Sequence, residues 1–439
     1  MVLKVSSWPE WAYPEWRSKK VLSPYVWLDG KRTLDGADGL WRIHDKIYDL
    51  TEFISRHPGG SSWLNLTKGT DITEAFEVHH IGPLAKSLLP KFEVGLAKTN
   101  RNSPFTFHDD GFYNTLRKRI YKVLEHKKKH TVKSLLILDI LVAFTIVLSL
   151  YSAYALNFVV AVIAGLFLCL TVNCSHNFIH QKNNWRMYYF NISLMTVRDW
   201  RVIHVFSHHL FANTIYDLEI GLLEPWLQLL PSPEKNWVVR KFSGLYSPVI
   251  YPVIFHFQAL SRIAARSFCL EDLIGLVLPI LLTIIGNFGG RNIVECLFIW
   301  TLIISSGSFF FGLIGVNAAH HHPDMFHDGD APRLNRDWGL NQIDAVGDRT
   351  EFKHSLFVAL TTYGHHTLHH LFPTVDHGHL AEIYPILEKT CQEFDCPLTI
   401  KSSWDLFMGQ YQQLMRNEPN QTPHDKTDVK SSNKMISSN

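Results

Sequence analysis

Cysteine is scarce in this chain: six in 439 residues, at Cys169, Cys174, Cys269, Cys296, Cys391 and Cys396. The first four lie in or beside apolar stretches and the last two are spaced CxxxxC, which excludes a disulfide framework and a zinc-thiolate site. Charge is also thin. Charged residues make up 19% of the chain, below the quarter or so of ordinary soluble proteins. The formal net charge of +2 leaves no electrostatic footprint for nucleic acid as a partner. The N-terminus lacks the apolar core of a signal peptide; entry into the membrane falls to later segments, with the N-terminus left in the cytosol. No H-E-x-x-H occurs, so a zinc protease would have no general base.

Histidine is what the chain has in excess. Its 25 copies equal the glycines, and glycine alone is usually about 7% of a protein. Long apolar runs are the second excess. Between Ser134 and Ser175 the only formal charge is Asp139, and a bilayer core takes roughly 20 helical residues to cross. This stretch is long enough for two crossings, with a turn near Tyr151 to Asn157. A second apolar block, Leu273 to Ala319, is interrupted by Arg291 and Glu295 and predicts another hairpin turning at Asn287 to Arg291, one helix kinked at Pro279. Four crossings return the chain to its starting side. The basic run Arg117 to Lys133 holds eight Lys or Arg against Glu125 and reads as a cytosolic juxtamembrane anchor. Leu222 to Leu230 and Leu245 to Leu260 are short or broken by proline, and read as interfacial or buried segments.

These boundaries divide the chain into a lead (1–20), a soluble α+β domain (21–100), a basic linker (101–133), an all-α membrane domain with four transmembrane helices in two hairpins (134–390), a C-terminal helix (391–416) and a disordered tail (417–439).

In the soluble domain, Tyr48-Asp49-Leu50-Thr51-Glu52-Phe53 leads into His57-Pro58-Gly59-Gly60, and Asp71 to Phe76 leads to His79-His80. Pro58 and the glycines fix a tight turn that presents His57 unobstructed. An imidazole from each wall of an apolar slot fills both axial positions of a haem, leaving the iron electron exchange alone.

The remaining histidines gather in three boxes: His176-Asn177-Phe178-Ile179-His180, His204-Val205-Phe206-Ser207-His208-His209 and His366-Thr367-Leu368-His369-His370. Spacings of three and four put imidazoles on one helical face, about 5–6 Å apart at Cβ. The first box begins where an apolar span ends, so the site belongs at the cytosolic membrane face. Eight nitrogens exceed the four ligands zinc usually takes, and a neighbouring one-electron carrier favours two irons.

The HPGG region resembles cytochrome b5, which implies His57 as the first axial ligand of a haem b. The second would be His80, four residues after Phe76, with His79 an exposed neighbour. The boxes, together with Arg198-Asp199-Trp200-Arg201, Asn213-Thr214, Asp217 and Leu371-Phe372-Pro373, resemble the membrane fatty acid desaturases and hydroxylases. Over about residues 21 to 390 the chain looks like a cytochrome b5-fused desaturase. The resemblance implies His176, His180, His204, His208, His209, His366, His369 and His370 as ligands of two non-haem irons. A further ligand would come from His320-His321-His322, where the spacing from Asn317 favours His321 and leaves His320 open. The expected activity is O2-dependent desaturation of an acyl-lipid or acyl-CoA, fed by a cytochrome b5 reductase-type donor. The expected place is the endoplasmic reticulum membrane, with both termini cytosolic. A lipid hydroxylase and a tethered electron carrier with an idle desaturase domain are the alternatives. Asp217, Glu219 and Asp324 are candidates to orient ligands. Asn177, where many first boxes have aspartate, and His366, where many third boxes have glutamine, both weaken any transfer of regiochemistry.

Overall fold

A computed structural model describes residues 6–424, apart from 10, 20–21, 317–318 and 353–354. Asn317 and the far tail, 425–439, therefore lie outside the described residues.

The soluble domain is built on a three-stranded antiparallel sheet, Trp41–Ile43, Lys46–Tyr48 and Glu93–Leu96, with Arg42 opposite Ile47 and Ile47 opposite Gly95. Helix Pro24–Leu34 begins where the Ser23 hydroxyl accepts from the Val26 amide and proline takes the first position, an N-terminus whose orphan donors are met locally. Helices Ser61–Thr67, Thr73–His79 and Leu84–Leu88 then enclose an apolar cavity above the sheet.

Four helices are long and apolar enough to cross a membrane: Val132–Ala155, Phe158–Ile179, Leu270–Phe288 and Ile293–Gly315. Each end has a local cause. Thr131 caps the first span by accepting from Ser134, and Leu156, in the left-handed region, ends it. Asn157 restarts the chain by capping Val160. Asn292 and Glu295 form a reciprocal capping box at the fourth span. The second and fourth spans cross at glycines. A Cβ on Gly165 would stand 2.8 Å from the Gly307 amide nitrogen, the kind of small-residue contact that lets apolar helices approach closely. Thr145 and Thr171 hydroxyls meet at 3.0 Å between the first two spans. Asp139, the lone charge of the first apolar stretch, is held by both arms of Arg186 at 2.9 and 2.7 Å, so the charge is not left unpaired. Pro279 lies in the first turn of the helix Val277–Phe288, just after a 3-10 stretch. It thus lies inside the span Leu270–Phe288, close to a change of helix type.

Between the second and third spans, helices Trp237–Ile250 and Ile254–Ala264 turn a row of apolar side chains outward, with Leu245 76% and Val249 74% exposed. Such a face suits a membrane interface.

The basic linker and the lead are both packed into the fold. The basic linker contains a helix, Phe112–Leu124, whose Phe112, Tyr113, Leu116 and Ile120 are fully buried. The lead buries Trp8, Trp11 and Trp16: Trp11 stacks on Tyr216 at 4.6 Å, and Ser7 donates its amide to Asp328 at 2.5 Å. At the other end, the expected disordered tail is anchored as far as it is described. The Asn420 amide donates to Asp330 at 2.7 Å and its carbonyl accepts from Ala331 at 2.8 Å.

Candidate haem and metal sites

The soluble domain's cavity measures about 520 Å3 and is walled by Leu50, Phe53, Leu64, Ile72, Phe76 and Leu89, with His57 on one side and His80 on the other. The two imidazole centres are 6.3 Å apart. Two metal–nitrogen bonds of about 2 Å plus the half-width of each ring sum to roughly the same span. Each Nδ1 is already engaged: His57 with the Gly60 carbonyl at 3.0 Å, His80 with the Phe76 carbonyl at 2.9 Å. That fixes the tautomer and leaves Nε2 as the free donor. Gly60 sits at φ +116°, and a Cβ on Gly59 would come within 2.9 Å of the His57 ring, so the turn demands both glycines. These residues fit a haem held by two imidazoles. His79 departs from its expected exposure. Its Nε2 is buried without a partner, its ring lies edge-on to Trp63 at 5.6 Å, and it approaches Phe206 of the second box at 6.3 Å. Burial pushes its pKa down to about 3.

The three boxes converge. The nitrogens of His176, His180, His204, His209 and His369 form one buried nest, and those of His208, His320 and His370 a second. His366 joins the second, with Nε2 2.7 Å from that of His320. Contacts within the nests, such as His176 to His204 at 2.6 Å and His208 to His320 at 3.1 Å, bracket the ~3 Å between neighbouring donors around one ion at ordinary bond lengths. His370 Nε2 and the ring nitrogens of His369 are buried with no hydrogen-bond partner, a cost that metal bound at the nests would remove for the nitrogen that meets it. The donor set fits a pair of metal ions.

The local fold sorts the histidines. Arg201–His208 is a π-helix, an element common at functional sites. Its wider turn aligns His204 with His209, five residues on, at 3.0 Å, and sends His208 to the other nest. In the helix His366–Leu371, His366 and His370 share one face while His369 points to the first nest. Burial pushes His180, His204, His209, His320, His366, His369 and His370 well below their ordinary value, so they present neutral imidazoles, the form a metal needs. His208 is the exception. Burial would lower it too, but Asp217 and Glu219 reverse the shift and raise it to about 9.

Of the histidines that follow the fourth span, His320 is the one that joins a nest, in place of the expected His321. His320 meets His208 and His366, whereas His321 turns toward His327 with ring centres 5.9 Å apart. Asn213, at φ +58°, decides this by donating from one amide to the carbonyls of His320, Phe326 and Ala345. Of the three candidate carboxylates, Asp217 reaches His208 Nδ1 at 2.9 Å and Glu219 reaches His204 Nδ1 at 2.6 Å. Asp324 pairs with Lys401 instead. Sequence reasoning missed Asp376 and His377. Asn177 bonds to both, at 3.1 and 2.8 Å, and the His377 ring lies 4.6 Å from that of His369. Their only signal was the box residue Asn177. Trp200, just before the second box, stacks on His204 at 5.3 Å.

The stretches that carry the histidine nests and the cavity each match a known protein family. Residues 111–402 match the fatty acid desaturase model, and residues 30–98 match the cytochrome b5-like heme/steroid binding domain model. The chain belongs to the fatty acid desaturase family, with a cytochrome b5 domain fused before it. It is 42% identical to the cytochrome b5-related protein of Drosophila melanogaster over 415 residues, covering 93% of this chain and 95% of that one. It is 24% identical to a probable Delta(5) fatty acid desaturase C of Dictyostelium discoideum, over 87% of this chain and 92% of the relative. An acyl-lipid (8-3)-desaturase of Mortierella alpina is also 24% identical, over 85% and 92%. No solved structure matches the chain.

Proposed function

We propose that the protein is an O2-dependent membrane oxidoreductase that desaturates a fatty acyl or lipid chain, using its own haem domain as electron donor. One observation carries this reading: His180 belongs to the first histidine nest and also lines the haem cavity. The electron carrier and the oxidising centre share a wall. His57 and His80 are the haem ligands in this reading. His176, His180, His204, His209 and His369 hold one iron, and His208, His320, His366 and His370 the other. When bound, the irons supply O2 activation and hydrogen removal from an unactivated C–H bond, and the haem supplies electrons singly.

The protein's own groups do the rest. Asp217 and Glu219 fix the tautomers of His208 and His204, and Trp200 covers His204 from water. Beside His208 and His320 lies a cavity of about 60 Å3 in which Ile220, Leu223, Leu227, Leu229 and Leu414 face the polar Glu219, His321 and Gln410. The spans run as two hairpins. Their turns lie together where Arg291 donates to the Tyr154 carbonyl at 3.3 Å, and the histidines lie at the opposite, cytosolic end. A cytochrome b5 reductase-type partner and the endoplasmic reticulum membrane complete the reading, with both termini cytosolic.

Expression with such a reductase, followed by fatty acid and sphingolipid profiling, tests it. A new double bond that disappears in His369→Ala supports desaturation. A hydroxylated product moves the assignment to hydroxylase, and iron-loaded protein without any lipid product moves it to the electron carrier.

A further inference from the structure

Two lysines that line the haem cavity have no counter-charge among the described residues. Among the residues lining that cavity, Lys129 and Lys182 are the charged ones; the others are apolar, neutral polar or histidine. Both come from outside the haem domain, and both are placed by neighbours that are themselves tied down. Lys182 precedes Asn183, whose amide donates to the Gly59 carbonyl at 3.1 Å, inside the turn that carries His57. Arg201 clamps the same junction, donating to Asn183 at 2.8 Å and to Ser62 at 2.6 Å. On the other side, Lys127 pairs with Glu382 at 2.8 Å and the Lys128 carbonyl accepts from His379 at 2.8 Å. Those contacts anchor the stretch from which Lys129 faces the cavity. Among the described residues neither Lys129 nor Lys182 has a hydrogen bond or ion pair. Partial desolvation and the neighbouring Lys182 depress Lys129 to about 8. Two exposed like charges side by side at an apolar cavity make a place where an anion emerging from that cavity would be met by both.

A haem in this cavity brings two carboxylates of its own. We propose that Lys129 and Lys182 bind the two haem propionates, so that the prosthetic group is gripped by both domains and fastens one to the other. The inference rests on the haem reading above, which supplies the anion.

The test uses the full-length protein in detergent, reconstituted either with haem or with haem dimethyl ester, whose propionates carry no charge. Haem transfer to apomyoglobin gives the release rate, and redox titration gives the midpoint potential. The K129A/K182A double variant is expected to release haem about tenfold faster than wild type, the effect of two partly exposed ion pairs. Its midpoint potential falls, because cations near the propionates favour the reduced haem. The K129R/K182R variant keeps wild-type values. With the dimethyl ester, wild type and K129A/K182A release at the same rate. The inference is overturned if release is indifferent to the lysines, or if the tenfold difference persists with the ester. A wild-type chain that takes up no haem overturns the haem reading together with this one, whereas haem uptake with lysine-independent release overturns this one alone.

Discussion

One oxygen of the Asp217 carboxylate lies 2.9 Å from Nδ1 of His208 and also accepts the Asn213 amide, while its other oxygen caps the turn Leu218–Gly221. A single fully buried side chain thus orients one imidazole, starts a helix and fastens the loop that fixes His320. Asp217→Asn should weaken iron binding at the second nest by 10- to 100-fold, with the haem spectrum unchanged. Chelator competition followed by elemental analysis measures it, and wild-type iron retention in the variant would exclude the role.

His320 and His321 are neighbours in sequence with different surroundings. His320→Ala should lose close to one iron per chain, and His321→Ala should keep both. Metal content of the purified variants decides, and the opposite pattern would return the ligand role to His321.

In the haem domain, His57→Ala and His80→Ala should each abolish the Soret band of a bis-imidazole haem. His79→Leu should keep it, since the His79 ring packs on Trp63 and Phe206 rather than facing His57. Loss of the band in His79→Leu with retention in His80→Ala would reverse the assignment.

Glu77 makes the junction between the domains sensitive to acid. It lies in the helix Thr73–His79 and accepts from Arg117 at 2.6 Å. Burial alone would raise its carboxyl, but hydrogen bonds from His44 and Lys86 and the Arg117 charge outweigh that and hold it at about 2. A free glutamate titrates near pH ~4.3. Because the native value lies below the unfolded one, this stabilisation is complete above pH ~4.3 and is lost as pH falls toward 2. Soret-monitored melting temperatures should therefore drop across that window, and Glu77→Gln should flatten the dependence while lowering the melting temperature at neutral pH. An identical pH profile in the variant would assign the acid sensitivity elsewhere.

Much of this was legible in the sequence because the signals are local. His57 and the paired glycines announce a turn whose chemistry depends on four adjacent residues. The spans announce themselves by uninterrupted apolar runs. Which histidines gather in the same nest was not legible, because the i, i+4 rule assumes an α-helix and the second box is a π-helix that pairs His204 with His209. The choice of His320 was hidden for another reason: it depends on hydrogen bonds from Asn213, 107 residues away. Asp376 and His377 lie outside every box and reach the site through Asn177 and, for His377, the His369 ring. Long-range contacts of this sort have no periodicity to betray them.

The buried lead has a consequence for synthesis. Ser7 pairs with Asp328, 321 positions later, and Trp8 and Trp11 rest on Phe326 and Tyr216. At roughly 5–20 residues per second, about 15 to 65 seconds pass between the emergence of those tryptophans and the completion of the surface they occupy. Throughout that interval the aromatic cluster has Phe105 but not the whole of its native surface. It must wait, kept from aggregation, until Phe326 and Asp328 have been made, so residues made before the haem domain settle only after the membrane spans.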